Sequence, residues 1–375
     1  MVPETYNSAM KNLLVSCYRG YATGKNLCSL LHAAKDLRFE ERQIPKPKDD
    51  QLLIKLDTVG ICGTDMHLYR TGSIAGLAIQ KPHILGHEGA GIVAGLGKNV
   101  KNFSVASLPG DRVALEPGVS CRKCTYCKSG RYHLCQNQAF TGLPPNNGLF
   151  LQYIAHDADF CYKLPDNMTM EEGSLLEPLS VGIHAVTRAG VTAGSKVLVL
   201  GAGPIGVMSM LASKAFGASS VVITDISESR LAVARSAGAD LTINVAEKSE
   251  SDVIASMRNK LGELPDMSVE TVGCQATFDL SIKGIKNGGA VVILSLAADY
   301  LKIPMSDIVM REIDLRGAIK YANTWPLSIK LISAGKIKLD KITKAHFNLM
   351  QIEEAFKKSQ TADVLKVLVK CNSKS

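Results

Sequence analysis

No uninterrupted apolar run in this chain of 375 residues reaches the roughly 20 residues that a membrane-spanning helix needs. We therefore expect no transmembrane helix. The start of the chain also lacks an apolar segment followed by a small-residue cleavage site, which predicts that no secretory signal is present. Internal repeats and low-complexity segments are absent from the sequence as well.

The chain has little excess charge and few aromatic residues. Lys and Arg number 43 against 35 Asp and Glu, which gives a net charge of +8. This excess is scattered, and nucleic-acid binding would need a concentrated basic stripe with aromatic neighbours. We therefore expect no nucleic-acid partner. The length exceeds what one compact core supports and predicts two domains.

Residues 1–25 are treated as an N-terminal extension. They combine an apolar stretch at 13–15 with several hydroxyl residues and the cations Lys11, Arg19 and Lys25. A mitochondrial presequence has this composition, but Glu4 and the single Arg argue against one. We expect a cytoplasmic protein, with a mitochondrial location as the alternative.

The rhythm of the sequence changes near residue 179. Up to residue 178 the chain is rich in Gly, Pro and short apolar runs, which predicts a β-rich, barrel-like domain. Residues 179–319 alternate strand and helix, and their continuous apolar runs predict a parallel sheet covered by helices. Beyond 320 the pattern is helical and ends in an apolar run, 364–370, that would return to the first domain. The predicted fold class is α/β, with residues 26–178 and 320–375 forming one domain and 179–319 the other.

A dinucleotide fingerprint lies at the start of the second domain. Gly201, Gly203 and Gly206 follow the apolar run 196–200 and precede a helix predicted from 207 to 216, and Asp225 ends the next strand. The glycines allow a tight turn, close approach of the backbone to the pyrophosphate, and close packing of helix on strand. The carboxylate of Asp225 favours NAD over NADP, although a nearby Arg230 would suit a phosphate. The alternative is a glycine-rich turn that binds another ligand.

Ten cysteines are many for a chain in a reducing compartment, where closely spaced thiols favour metal over disulfide. Cys121, Cys124, Cys127 and Cys135 have the spacing of a tetrahedral zinc site. The surrounding residues are basic and turn-rich, which predicts a lobe held by a structural zinc. A nucleic-acid-binding zinc element is the alternative for this lobe, and salt-dependent DNA or RNA binding would distinguish it.

A second group of potential ligands combines a thiol, an imidazole and carboxylates. Cys62 lies in a polar segment after a predicted strand, and His87 and Glu88 are adjacent between glycines. Three mixed ligands leave one coordination position open, as in catalytic zinc sites. Glu177 is the candidate for that position, either directly or through a water molecule. Asp65 would orient a histidine ligand.

The mixed-ligand group and the dinucleotide fingerprint together predict the chemistry of an alcohol dehydrogenase. Zinc acts as a Lewis acid that lowers the pKa of a bound alcohol, and the resulting alkoxide can transfer hydride to the nicotinamide. Thr64 and His67 are close to Cys62 in sequence and are the candidates for carrying the proton away. Local loop hydrogen bonding is the alternative role for these two side chains.

Several segments resemble a known family. The pattern Gly86-His87-Glu88-x-x-Gly91-x5-Gly97-x2-Val100 resembles the signature of zinc-containing medium-chain dehydrogenases. Segments 59–67, 160–167, 176–184 and 323–326 resemble the sorbitol dehydrogenase group of that family, and the likeness extends from about residue 26 to the C-terminus. The resemblance implies a GroES-like catalytic domain, a Rossmann domain and a homotetramer that oxidises polyols such as sorbitol to ketoses with NAD.

The resemblance also implies roles for individual positions. The catalytic zinc falls on Cys62, His87 and Glu88, with Glu177 at the water or substrate. The nucleotide positions fall on Ile205, Asp225, Arg230, Leu294 to Leu296, and Ala318 to Lys320. The substrate positions fall on Leu68, Glu177, Lys320 and Tyr321.

Three pocket positions differ from the family. Leu68 stands where the family has an aromatic residue, Lys320 where it has Arg, and Leu143 replaces a hydroxyl residue. An ammonium group cannot fix two substrate oxygens as a planar guanidinium does. The pocket is therefore expected to be more apolar. A less polar secondary alcohol or a threonine-like substrate is the alternative to a polyol, and an inactive NAD-binding paralogue is a further alternative.

Overall fold

The fold is described from a computed structural model, which covers residues 22–74, 76–100, 108–361 and 363–372. The expectation of an extension at residues 1–25 falls largely outside these ranges. Within them, no helix combines the length and apolar character that crossing a membrane requires.

The first half of the chain is dominated by short strands. The strands are β1 (Lys25–Ala33), β2 (Asp36–Gln43), β3 (Gln51–Gly60), β4 (Ser73–Ile74), β5 (Leu77–Ala78), β6 (Glu88–Leu96), β7 (Arg112–Leu115), β8 (Gly118–Val119), β9 (Ala139–Phe140), β10 (Tyr153–Asp157) and β11 (Cys161–Lys163). The helices among them are α1 (Gly63–Thr71), α2 (Thr125–Lys128) and α3 (Met170–Ser174).

The second half alternates helix and strand. In chain order it contains α4 (Leu176–Ala189), β12 (Lys196–Leu200), α5 (Pro204–Ala215), β13 (Ser220–Asp225), α6 (Glu228–Ser236), β14 (Leu241–Asn244), α7 (Glu250–Leu261), β15 (Met267–Glu270), α8 (Gln275–Lys283), β16 (Ala290–Ile293), α9 (Met305–Arg311), β17 (Asp314–Gly317), α10 (Trp325–Ser333), β18 (Lys344–Asn348), α11 (Ile352–Lys358) and β19 (Lys366–Lys370).

The predicted parallel sheet is confirmed, and with it the α/β fold class. Six parallel strands lie in the order β14-β13-β12-β15-β16-β17. Val197 and Val199 of β12 pack into one hydrophobic layer, and Leu198 and Leu200 into the layer on the opposite face. Both faces of the sheet are therefore covered, which is why its strands are continuous apolar runs. Helix α5 begins at Pro204, three residues before the predicted start at 207, because a proline fits the first helical turn.

The C-terminal run returns to the first half of the chain, as the sequence suggested. A seven-stranded sheet has the order β11-β7-β6-β3-β19-β18, with β10 also paired to β3. Strand β19 runs antiparallel to β3, with Leu368 opposite Gly60. This pairing carries the last strand of the chain to the end of β3, next to the first metal-ligand candidate.

Helices α4 and α5 pack closely because Gly182 has no side chain. A Cβ atom at this position would lie 2.7 Å from the backbone carbon of Met208. We predict that Gly182→Ala lowers the free energy of unfolding by about 1–3 kcal/mol, since the overpacked helices must separate. Urea unfolding followed by circular dichroism measures this.

The matched control is Gly63→Ala in α1, where a Cβ atom would have no neighbour within 4 Å. It should leave stability unchanged or slightly raised. Equal losses in the two variants would contradict the packing argument.

Candidate functional site

The first metal-ligand group is assembled by the pairing of β3 with β6. Cys62 follows the end of β3 and caps α1, while Glu88 begins β6 directly opposite Gly60. Each of Cys62, His87 and Glu88 offers a ligand atom, and the three atoms lie within 4.8 Å of one another. A thiol, an imidazole and a carboxylate in this arrangement fit a zinc ion. The structure thus brings together three residues that are separate in the sequence.

Asp65 braces both ligand segments. Its Oδ2 accepts a hydrogen bond from the Cys62 backbone N–H at 3.0 Å, and its Oδ1 accepts one from the Gly86 N–H at 2.9 Å. The same Oδ1 is 3.4 Å from Nδ1 of His87, which leaves Nε2 as the nitrogen available to a metal. Burial alone would lower the pKa of His87, but the charges of Asp65 and Cys62 raise that pKa well above its usual value. The same negative field attracts a metal cation.

Glu88 is enclosed by two residues that the sequence did not identify. Lys366, the first residue of β19, donates a hydrogen bond to Glu88 Oε1 at 2.6 Å and another to the Ile61 carbonyl at 3.0 Å. Both charged side chains are almost completely buried. On the other side, a Cβ atom at Gly60 would lie 2.2 Å from Glu88 Oε2. Glycine is therefore needed at position 60 to make room for the carboxylate.

Glu177 lies near this group but outside it. It is on α4 and is only 5% exposed, and its carboxylate is not one of the atoms that approach within 4.8 Å. Burial raises the pKa of Glu177 to about 7, an effect that the nearby His87 opposes. The buried Tyr321 hydroxyl acts on the same carboxylate but has no hydrogen bond of standard geometry among the described residues. These contacts fit a Glu177 that lies beyond the three ligands and is either protonated or linked to them through a water molecule.

The other predicted residues of this site differ in exposure. On α1, Thr64 is half-buried and His67 is exposed. Leu68 is fully buried in the hydrophobic core of the first half of the chain. Lys320 is half-buried, and its Nζ donates to Gln138 Oε1 at 2.7 Å while lying 4.5 Å from the centre of the Phe140 ring.

The four cysteines of the lobe converge. Each of Cys121, Cys124, Cys127 and Cys135 offers a sulfur atom, and these atoms lie within 4.8 Å of one another. No disulfide joins them, and four thiols fit a tetrahedral zinc ion. Arg122, which the sequence offered as part of a basic surface, is instead paired with Asp157 and Asp159 at 2.7 Å.

The lobe is joined to the residues around the pocket through a buried carboxyl group. Glu116 accepts hydrogen bonds from the hydroxyls of Tyr132 and Tyr162, both at 2.8 Å. Burial raises the pKa of Glu116 to about 7. The Tyr132 hydroxyl accepts the Asn323 backbone N–H at 2.9 Å, and Tyr162 stacks on Trp325, with 5.4 Å between the ring centres. These contacts hold the segment that contains Lys320 and Tyr321.

The glycine-rich turn has the geometry of a phosphate-binding loop. Gly201 has a φ of 96°, and a Cβ atom at Gly206 would lie 1.8 Å from the Gly201 carbonyl oxygen. Gly203 caps α5 without a side-chain hydrogen bond, so N–H groups of the first helical turn are left for a ligand. Asp225 accepts the Ala202 N–H at 2.7 Å, which fixes its carboxylate beside the loop.

Other nucleotide candidates lie around this turn and along a nearby cleft. Ile205 is in the first turn of α5, and the buried Nε of Arg230 has no hydrogen-bond partner among the described residues. A cleft of about 590 Å³ separates the cysteine lobe from the end of the parallel sheet. Its walls include Leu294, Leu296 and Ala318. The predicted nucleotide-binding residues thus lie in two places, some at the glycine-rich turn and some along the cleft.

Comparison with known proteins gives consistent results. The family model described as the alcohol dehydrogenase GroES-like domain matches residues 48–166, and the model described as zinc-binding dehydrogenase matches residues 204–334. Sorbitol dehydrogenase of Gallus gallus is 42% identical over 351 residues, which cover 94% of this chain and 98% of that protein.

Solved structures agree with the fold. An Escherichia coli oxidoreductase of unknown specificity, ECK1772, superposes with a TM-score of 0.87 at 35% identity, covering 93% of this chain and 100% of that one. The 2R,3R-butanediol dehydrogenase of Bacillus subtilis superposes with a TM-score of 0.84 at 30% identity, covering 92% and 100%.

The two ligand groups predict two zinc ions per chain. Cys62→Ser and Cys124→Ser should each lower the zinc content to about one equivalent, because each removes one ligand from a different group. Elemental analysis of the purified, zinc-replete variants measures this. Cys274→Ser, at an exposed cysteine outside both groups, is the control and should keep both ions. Retention of two equivalents by Cys62→Ser would contradict the assignment of the first group.

Proposed function

Since the chain belongs to the family of zinc-binding alcohol dehydrogenases with a GroES-like domain, we propose that it oxidises a secondary alcohol of a polyol to a ketone and transfers hydride to NAD. The protein is a zinc-dependent oxidoreductase related to sorbitol dehydrogenases along 94% of its length. The observation that carries the proposal is the convergence of Cys62, His87 and Glu88, with Glu177 beside them.

In this proposal the first ligand group holds the catalytic zinc, and the four-cysteine group holds the structural zinc. The catalytic zinc supplies Lewis acidity, which favours loss of the substrate hydroxyl proton. The Asp65 carboxylate, 3.4 Å from Nδ1 of His87, would orient this imidazole toward a metal. Glu177, whose pKa is raised to about 7 by burial, is suited to hold a proton or a water molecule beside the substrate.

The proton then needs a route to solvent. Thr64 and His67 lie one helical turn apart on α1 and progress from half-buried to exposed. This change in exposure supports the proposed relay, since a relay must begin at the site and end in water.

A nicotinamide dinucleotide is the cofactor that the family assignment supports. We propose NAD as the preferred form. The carboxylate of Asp225 is held rigidly beside the glycine turn by the Ala202 N–H, where it would accept ribose hydroxyls and repel a 2′-phosphate. The unpaired Nε of Arg230 is the feature that opposes this preference.

The substrate class follows from the pocket residues. A polyol is supported by the relatives, whereas an apolar Leu143 and the engagement of Lys320 by Gln138 leave fewer donors for a row of hydroxyls. The second candidate is therefore a less polar secondary alcohol, and the likeness to a butanediol dehydrogenase structure favours it.

The proposed division of the chain assigns residues 26–178 and 320–375 to the catalytic domain and 179–319 to the cofactor domain. The pairing of β19 with β3 supports the return of the last segment to the first domain. The proposed location is the cytoplasm.

A substrate panel tests the function. We expect reduction of NAD with sorbitol or xylitol at a kcat/KM at least tenfold higher than with butane-2,3-diol or threonine, and at least tenfold higher with NAD than with NADP. Complete zinc removal should abolish turnover, and zinc addition should restore it.

Undiminished turnover without zinc would overturn the mechanism. A preference for butane-2,3-diol would select the second substrate class and retain the chemistry. Tight NADH binding without turnover of any alcohol would support the inactive-paralogue alternative.

We propose that copies of the chain assemble into a homotetramer and that one contact uses the open edge of the parallel sheet. Strand β17 pairs only with β16 among the described residues. Exposed apolar side chains lie in the segment of chain that leads into this strand, including Tyr300 at 94% and Met310 at 82% exposure. An unpaired edge beside such a patch is the kind of surface that a partner covers.

Met310→Lys should therefore lower the mass of the assembly, since it places a charge within the apolar patch. Light scattering coupled to size-exclusion chromatography measures the mass. Met350→Lys is the control, because Met350 is similarly exposed but lies on another element. An unchanged mass for Met310→Lys would argue against this contact.

A further inference from the structure

Lys366 is the one buried cation in contact with the proposed catalytic ligands among the described residues. It is 3% exposed, and its Nζ approaches both oxygens of Glu88 and the carbonyl of Ile61, which precedes Cys62. The ammonium therefore contacts two of the ligand-bearing segments at once. Burying an ammonium group has a large desolvation cost unless a partner offsets it, so this arrangement needs the carboxylate.

The surroundings of Lys366 contain several other charges. Cys62 and Glu177 both act on it, in addition to Glu88. Beyond them lie His87 with its Asp65, and Lys320 faces Glu177. Of these groups only Lys366 is positively charged and in direct contact with a ligand carboxylate.

The charges of the ligands explain what this lysine does. A histidine that binds a metal is neutral, so the thiolate of Cys62 and the carboxylate of Glu88 would bring two negative charges to a divalent ion and reduce its Lewis acidity. Lys366 offsets one of them, so Cys62, Glu88 and Lys366 together carry a charge of −1 and not −2. In a buried site this charge acts at short range and is little screened by salt.

We propose that Lys366 is a positioning residue of the metal centre: it holds the Glu88 carboxylate against Gly60 and sets the net charge of the centre. This inference rests on the proposed binding of zinc by Cys62, His87 and Glu88. It adds that a residue of β19 affects both the affinity for the metal and the pH dependence of activity. The packing supports this role of Lys366. Gly60 has no side chain that could hold the Oε2 side of the Glu88 carboxylate, so the lysine is the group that holds it.

The charge argument gives an order that a purely structural role would not. Lys366→Met changes the combined charge of these three residues from −1 to −2, Glu88→Gln changes it to 0, and the double variant Lys366→Met/Glu88→Gln restores −1 without the Glu88 carboxylate. Metal should therefore be released more slowly from Lys366→Met than from the unaltered chain, and more slowly from the double variant than from Glu88→Gln, because each of these comparisons removes only the lysine charge. Each removal should change the release rate at least tenfold.

The measurement is zinc release to a chromogenic chelator in excess, which requires no turnover. The relevant kinetic phase is the one that a Cys62→Ser variant lacks, so the cysteine lobe does not interfere. Lys366→Arg retains the charge and should keep the unaltered rate within about threefold. Circular dichroism confirms that each variant is folded. If Lys366→Met does not fold, the comparison of the double variant with Glu88→Gln still tests the rule, because the double variant leaves no buried charge unpaired.

A second readout is the pH profile of kcat/KM. A less positive centre stabilises the deprotonated substrate less. The pKa of the acid limb should therefore rise by at least one unit in Lys366→Met and fall in Glu88→Gln. The acid limb of the double variant should lie above that of Glu88→Gln, since these two differ only by the lysine charge.

Three outcomes decide the proposal. The predicted order in both readouts supports it. Faster zinc release from Lys366→Met than from the unaltered chain would overturn it, because the lysine would then serve only to hold the ligands in place. Absence of a second zinc from the unaltered chain would instead refute the proposed function on which the inference rests.

Discussion

The pairing of β3 with β6 is the constraint on which the site depends. Antiparallel register places Gly60 opposite Glu88, so the thiol that follows one strand meets the imidazole and carboxylate that begin the other. The absence of a side chain at Gly60 leaves room for the Glu88 carboxylate. A shift of the β3–β6 register by one residue would turn Glu88 to the opposite face of the sheet and separate it from Cys62 and His87.

The negative charge collected in this way has to be stabilised by the rest of the structure. Asp65 uses backbone N–H groups to fix the two ligand loops, and Lys366 supplies a cation from the far end of the chain. The C-terminal strand is thus part of the site, although nothing in its apolar sequence indicates a functional role. A buried ion pair of this kind adds little net stability.

The cysteine lobe and the cofactor cleft form a second level of organisation. Glu116 joins the lobe to the segment with Lys320 and Tyr321 through two tyrosine hydroxyls, and Gln138 holds the Lys320 ammonium. The cysteine lobe and the segment with Lys320 and Tyr321 are therefore joined by direct contacts. Lys320, which stands where the family has Arg, lies within this connected region.

The sequence alone determined the fold class and the two ligand groups, because short motifs carry them. These motifs are local patterns: the glycine spacing at 201–206, the four cysteines, and the adjacent His87 and Glu88. The geometry of a few neighbouring residues is enough to restrict what each of them can bind. The parallel sheet followed from continuous apolar runs for the same reason. The sequence also led to Leu68 as a pocket residue, whereas packing buries it fully in the core.

Only the tertiary structure decided the long-range contacts. Lys366 is 278 residues from Glu88, and Gln138 is 182 residues from Lys320. No periodicity or spacing encodes such pairs, since they arise from strand order and from the return of the chain to its first sheet. The chemical types of the ligands can therefore be read from the sequence, while the charged side chains that contact them are brought there by the fold.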